Sequence, residues 1–127
     1  MVVNTSQPIL YGIPNCDTVK KAERWLNQHG IAYSFHDIRK QPLSKEQWQA
    51  LVTLVGSEAI INKRSTSWRG LSESEQQLAS SEAVVNLLQL HPTLMKRPLV
   101  TPIAATKPET FVIGFKEAVW AQEFQTA

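Results

Sequence analysis

The strongest constraint on the fold lies in residues 9–38, where two strand patterns flank one helical pattern. Residues 9–13 form an apolar run that is typical of a buried strand, and a turn containing a proline follows it. Residues 17–29 then carry helical spacing, and residues 31–38 alternate as a strand does. A strand, a helix and another strand of these lengths predict a βαβ unit with parallel strands.

The helical segment of this unit has one apolar side, which consists of Val19, Ala22, Trp25 and Leu26. We expect Asn15 to cap its start, because a short amide side chain accepts hydrogen bonds from free helix N–H groups. Gly30 should end it in the left-handed conformation. This face should therefore pack against the sheet.

The rest of the chain changes character twice. Residues 39–97 are nearly all helical in pattern, with a capping box predicted at Ser44 and Gln47 and a helical turn at residues 58–62. Residues 98–101 and 110–113 then read as two strands close enough to pair antiparallel. A final helix over residues 116–125 should bury three apolar side chains, namely Val119, Trp120 and Phe124.

The order of these elements predicts an α/β fold of the thioredoxin-like, or glutaredoxin-like, type. Its mixed four-stranded sheet would carry the first and last helices, with an all-helical insertion in the middle of the chain. We expect one domain over residues 1–127, with a thioredoxin-like core at about 8–38 and 98–125 and a helical insert at about 39–97. A chain of 127 residues is long enough for a core of this kind.

Composition narrows the functions that this chain can have. The net charge of +2 gives no indication of a nucleic-acid partner, and no apolar run is long enough to span a membrane. The three histidines lack metal-ligand spacing, so no metal site is expected. No targeting segment is visible at the start of the chain, and a free thiol fits a reducing compartment. We therefore expect a monomeric cytoplasmic protein.

Cys16 is the only cysteine, and the predicted elements place it in the first turn of a helix, just beyond a strand. Free N–H groups and the helix dipole favour a thiolate there, which makes Cys16 a candidate nucleophile. Lys20, one turn later, either supports that charge or belongs to the solvated face. The alternative is a small buried core residue, and the neighbouring carboxylate of Asp17 opposes a thiolate.

Five segments together resemble a known family. Residues 11–22, 35–40, 61–69, 91–98 and 112–115 are similar to the ArsC-like (arsenate reductase-like) proteins, and most closely to the YffB branch, which is related to the Spx proteins. The resemblance covers roughly residues 9–124. It implies a thioredoxin-like fold with a helical insert and a nucleophilic cysteine at Cys16.

The resemblance also implies an arginine that precedes a cis-proline, which Arg97 and Pro98 match. Arg97 would then act with Cys16 as a catalytic residue and bind an oxyanion or carboxylate. Asn15, Arg64 and Pro98 are the expected anion- and substrate-binding residues. No tightly bound cofactor is implied, and the YffB branch resembles thiol reductases that use glutathione as the external thiol.

The chain departs from true arsenate reductases at two positions. Asn62 stands where they carry an arginine, and residues 101–106 lack the arginine that follows their cis-proline strand. An oxidised thiol is therefore favoured over arsenate as the substrate of this thiol-dependent reductase. The alternative is a non-catalytic, protein-binding regulator of the Spx type, although Spx-like proteins usually carry a Cys-x-x-Cys pair, which Val19 interrupts here.

Overall fold

The computed structural model describes residues 7–124, and these divide into two compact units. The first unit contains the described residues up to Asp37 together with those from Arg97 onward. The second unit is the continuous segment Ile38–Lys96. Every strand of the sheet belongs to the first unit, which also contains Cys16.

The sheet has four strands, β1 (Ile9–Gly12), β2 (Ser34–Asp37), β3 (Leu99–Thr101) and β4 (Val112–Ile113), in the order β2-β1-β3-β4. β1 pairs parallel with β2, whereas the β1–β3 and β3–β4 pairs are antiparallel. This arrangement confirms the predicted mixed four-stranded sheet of the thioredoxin-like class. The second strand is shorter than the alternating pattern indicated, because it begins only at Ser34.

The described residues form six α-helices, which are α1 (Asp17–Gln28), α2 (Lys45–Val55), α3 (Thr66–Arg69), α4 (Glu73–Gln76), α5 (Ser81–Leu90) and α6 (Glu117–Glu123). A 3₁₀ turn over Pro92–Leu94 follows α5. The predicted end of α1 is confirmed, since Gly30 has a φ of 65°. The predicted N-cap is wrong, because Cys16 itself, and not Asn15, occupies the N-cap position of α1.

Helices α1 and α6 share one hydrophobic core with one face of the sheet. Its buried members are Leu10, Val19, Ala22, Trp25, Leu26, Val100, Ile103, Val112, Trp120 and Phe124. The predicted burial of Val119 is wrong, because this side chain is 46% exposed. Trp120 of α6 and Phe124, the residue that ends the helix, lie four residues apart and face the sheet. Val119 is rotated away from that side by one helical step.

The second unit is helical, and α2 and α5 pack against each other. The predicted capping box of α2 is present: the Ser44 hydroxyl accepts from the Gln47 N–H, and the Gln47 side chain accepts from the Ser44 N–H. The predicted helical turn at residues 58–62 is only partly correct. Residues 57–60 form a turn, but Ile61 makes an isolated antiparallel bridge with Met95.

Candidate active site

Cys16 lies where β1 gives way to α1. It is the N-cap residue of the helix, with extended backbone angles (φ −116°, ψ 123°), and its carbonyl accepts the Lys20 N–H at 3.0 Å. The first N–H groups of any helix have no acceptor within the helix, so those that follow Cys16 are oriented to bind negative charge. The Cys16 side chain is half-buried and packs against the core of the first unit.

The start of α1 approaches the end of β1 very closely. A Cβ atom on Gly12 would lie 3.0 Å from Cγ2 of Val19, a fully buried side chain. A side chain at position 12 would require Val19 to shift by a few tenths of an ångström, and glycine avoids that shift. This role of Gly12 is not predicted from the sequence, because the contact depends on the packing of a helix on a strand and not on a local pattern.

The register of the sheet brings Arg97 and Pro98 to the same edge as the turn before Cys16. Tyr11 of β1 lies opposite Leu99 of β3. Because this pair is antiparallel, the residues just before Leu99 lie beside the residues just after Tyr11. Cys16, Arg97 and Pro98 therefore belong to one edge of one sheet.

Arg97 and Pro98 are joined by a cis peptide bond, as the resemblance implied. Arg97 is half-buried and its Nε atom is buried, whereas Pro98 is buried. The Pro98 carbonyl accepts the N–H of Gly114 at 2.8 Å, and Gly114 has a φ of 70°. A second cis bond, between Thr101 and Pro102, was not predicted.

Asn15 and Arg64, the other two predicted anion-binding side chains, belong to different units of the chain. Asn15 is exposed in the turn just before Cys16. Arg64 is exposed and belongs to the second unit, where its backbone N–H donates to the Asn62 side chain at 3.0 Å. The part of Asn15 and Arg64 in anion binding stays a prediction.

Tyr11 and His36 lie next to each other on β1 and β2. They are register partners, and their ring centroids are 5.3 Å apart. Burial raises the pKa of the Tyr11 hydroxyl above its ordinary value. His36 is half-buried, and the aromatic contact with Tyr11 gives it a packing role at the end of the sheet.

Residues 7–124 contain no cluster of three or more His, Cys, Asp and Glu side chains that could hold a metal ion. Within the same residues, no helix is both long and apolar enough to cross a membrane. The polar groups described at this edge of the sheet include the Cys16 thiol, the Arg97 guanidinium group and the backbone N–H donors that follow Cys16.

The family model described as "ArsC family" matches residues 11–123, which include the whole of this site. The chain belongs to the ArsC family. It is similar to an uncharacterized protein of Haemophilus influenzae, with 37% identity over 93% of this chain and 96% of that one. It is also similar to the global transcriptional regulator Spx of Streptococcus mutans, with 32% identity over 72% of this chain and 67% of that one.

Among solved structures, this ArsC family chain is similar to a YffB protein, with a TM-score of 0.81 and 29% identity over 93% of this chain and 99% of that one. The YffB and Spx matches confirm the predicted relationship to that part of the family. They also confirm the thioredoxin-like fold class. The family match places Cys16 and the Arg97–Pro98 pair within a domain of the arsenate reductase-like type.

Proposed function

We propose that this ArsC family protein is a cytoplasmic thiol oxidoreductase in which Cys16 is the nucleophile and glutathione the external thiol. The observation that carries the proposal is the position of Cys16. It is a half-exposed N-cap residue at the same sheet edge as Arg97 and the cis-proline. Such a position places the sulfur beside the free N–H groups of the first helical turn and leaves it within reach of a substrate.

The first chemical step is attack of the Cys16 thiolate on the glutathione sulfur of a mixed disulfide. A bond forms between Cys16 and glutathione, the original disulfide breaks, and the electron pair leaves with the substrate sulfur, which then takes a proton. The N–H groups after Cys16 and the Arg97 guanidinium stabilise the negative charge on the sulfur atoms in this step.

The second step needs another glutathione, since the chain has a single cysteine. The thiolate of that glutathione attacks the glutathione sulfur bound to Cys16, so that glutathione disulfide forms and the electron pair returns to Cys16. Over both steps the sulfur of the second glutathione is oxidised and the substrate sulfur is reduced, while the glutathione sulfur of the mixed disulfide stays at the disulfide level. Asn62 and the absence of arginine in residues 101–106 favour such disulfides over arsenate as substrates.

The test is a paired assay of the wild type and Cys16→Ser with glutathione as the only reductant. One substrate is the mixed disulfide of glutathione with 2-mercaptoethanol, and the other is arsenate. We expect the wild type to reduce the disulfide faster than arsenate and Cys16→Ser to have only background activity. Thr18→Ser, a hydroxyl-retaining change at an exposed residue of the same helix turn, serves as the control and should remain active. Equal rates for the wild type and Cys16→Ser would exclude the mechanism.

A second candidate function is protein binding without catalysis, which the similarity to Spx regulators favours. It requires no thiol chemistry. The wild type and Cys16→Ser would then retain the same partner from a cell lysate, and neither would reduce a disulfide. Loss of the partner in Cys16→Ser, together with turnover by the wild type, would rule out this second candidate.

A further inference from the structure

The exposed side of α1 lines an open hollow of ≈ 540 Å³. Its lining residues are Lys20, Glu23, Arg24, Asn27 and Gln28. They follow one another at helical spacings of three and four, so they form a single stripe on the helix. Cys16 lies four residues before Lys20, and its carbonyl accepts the Lys20 N–H at 3.0 Å. The hollow therefore begins one helical turn from the cysteine.

The charges in this hollow are two cations and one carboxylate. Neither Lys20 nor Arg24 forms an ion pair with any residue in the range 7–124. Glu23 is held in place, because its Oε1 atom accepts the hydroxyl of Tyr33 at 2.8 Å. The hollow thus offers two separate cationic groups and a fixed anionic group, and side-chain amides follow them along the helix.

This pattern is complementary to a peptide-like molecule that carries two carboxylates and one ammonium group. We propose that the hollow binds the peptide part of the thiol that becomes attached to Cys16, and that this thiol has the charge pattern of glutathione. Lys20 and Arg24 pair with its carboxylates, and Glu23 with its ammonium group. The proposal rests on the proposed function, because it assigns the specificity of the same cysteine.

The size of the stripe fits such a ligand. From Cys16, where the sulfur is attached, to Arg24 the helix rises by about 12 Å at roughly 1.5 Å per residue. A tripeptide in an extended form spans about 10 Å at roughly 3.3 Å per residue. A ligand joined to Cys16 through its sulfur can therefore lie along α1 with its charged ends over the stripe.

Direct binding is measured with S-methylglutathione, which has the charges of glutathione but cannot exchange disulfides. We expect it to shift the amide NMR signals of residues 20–28 in the wild type. In Lys20→Gln and Arg24→Gln the dissociation constant should rise roughly threefold to tenfold, and added salt should weaken wild-type binding. Lys21→Gln is the matched control, because Lys21 is exposed and adjacent but does not line the hollow.

Turnover gives the second readout. With the mixed disulfide of glutathione and 2-mercaptoethanol, Lys20→Gln and Arg24→Gln should raise KM several-fold and leave kcat nearly unchanged. Bis(2-hydroxyethyl) disulfide carries no charge, so in a single turnover without glutathione both variants should lose less activity with it than with the glutathione mixed disulfide. Lys21→Gln should match the wild type with both substrates.

The two proposals can fail separately. Binding of S-methylglutathione at residues 20–28 without any turnover would overturn the proposed function and leave the assignment of the hollow intact. Two results would overturn only the assignment of the hollow, provided that the wild type turns over. One is an equal loss of activity in Lys20→Gln and Lys21→Gln, and the other is the absence of any signal shift at residues 20–28.

Discussion

Gly12 and Val19 bring the end of β1 and the first turn of α1 into direct contact. A Cβ atom at position 12 would lie 3.0 Å from Cγ2 of Val19. Val19 is completely buried, and its β-branched side chain has little freedom to rotate away. Because Cys16 is the N-cap residue of α1, this contact helps to fix the position of the cysteine relative to the sheet.

We expect Gly12→Ala to destabilise the protein by about 1–3 kcal/mol, because the added methyl group overpacks a rigid contact. The free energy of unfolding in urea measures this change. Gly70→Ala is the control: the nearest atoms to its added Cβ are 3.7 Å away, and its φ of −81° suits any residue. The control should change stability by less than about 1 kcal/mol.

Val19→Ala provides a further check on the cause. If the clash with Val19 is responsible, Gly12→Ala should cost less in the Val19→Ala background than in the wild type. An equal cost in both backgrounds would assign the loss to the backbone of β1 and contradict the explanation by overpacking.

Trp120 supports the cis-proline through Gly114. Its indole N–H donates to the Gly114 carbonyl at 2.9 Å, and the Gly114 N–H donates to the Pro98 carbonyl at 2.8 Å. Trp120→Phe should cost about 1–3 kcal/mol, because the carbonyl loses its donor, and should speed amide exchange at Gly114. Phe124→Leu reduces packing in the same aromatic cluster without removing a hydrogen bond, so exchange at Gly114 should change little. Equal exchange in the two variants would argue against this link.

The sequence predicts the first unit well where local periodicity is strong. The apolar stripe of α1 and its end at Gly30 depend on the geometry of a single element, which the order of residues determines directly. The prediction fails where contacts with the sheet or with a distant segment of the chain determine the structure. Val119 is as apolar as its neighbours, but the direction in which α6 meets the sheet leaves it exposed, and Ile61 is drawn out of a helical turn by pairing with Met95.

The candidate site is predictable in its residue types but not in its geometry. Cys16 and the Arg97–Pro98 pair follow from motifs in the sequence. The register that brings position 97 beside the end of β1 depends on the pairing of strands that are far apart in the chain. The hydrogen bond from the Gly114 N–H to the Pro98 carbonyl likewise joins two segments that are separate in the sequence. The hollow beside Lys20 cannot be predicted from the sequence, in which Lys20 and Lys21 are more simply interpreted as part of a solvated helix face.

Tyr33 should titrate far above an ordinary tyrosine. Burial, followed by the hydrogen bond to Glu23, raises its pKa from 10.0 to about 12. The folded state holds this proton more tightly than the unfolded state, so the stabilisation is complete below pH 10 and is lost as the pH rises towards 12. An absorbance titration of Tyr11→Phe, which retains Tyr33 as the single tyrosine, measures the midpoint. Adding Glu23→Gln to Tyr11→Phe should lower the midpoint of the Tyr33 titration. A midpoint of about 10 in Tyr11→Phe alone would contradict the raised pKa of Tyr33.

Arg97 should contribute to turnover through its position at the edge that carries Cys16. Arg97→Ala should lower kcat/KM for the mixed disulfide of glutathione and 2-mercaptoethanol by about 10²-fold, because the charge on the reacting sulfurs loses its guanidinium. Arg97→Lys keeps one positive charge but loses the planar fork, so it should recover only part of that activity. Lys96→Ala removes an exposed neighbouring charge and should retain wild-type turnover. Thermal unfolding of all three variants separates a catalytic loss from a folding defect, and an equal loss in Lys96→Ala would assign the effect to general charge at this surface.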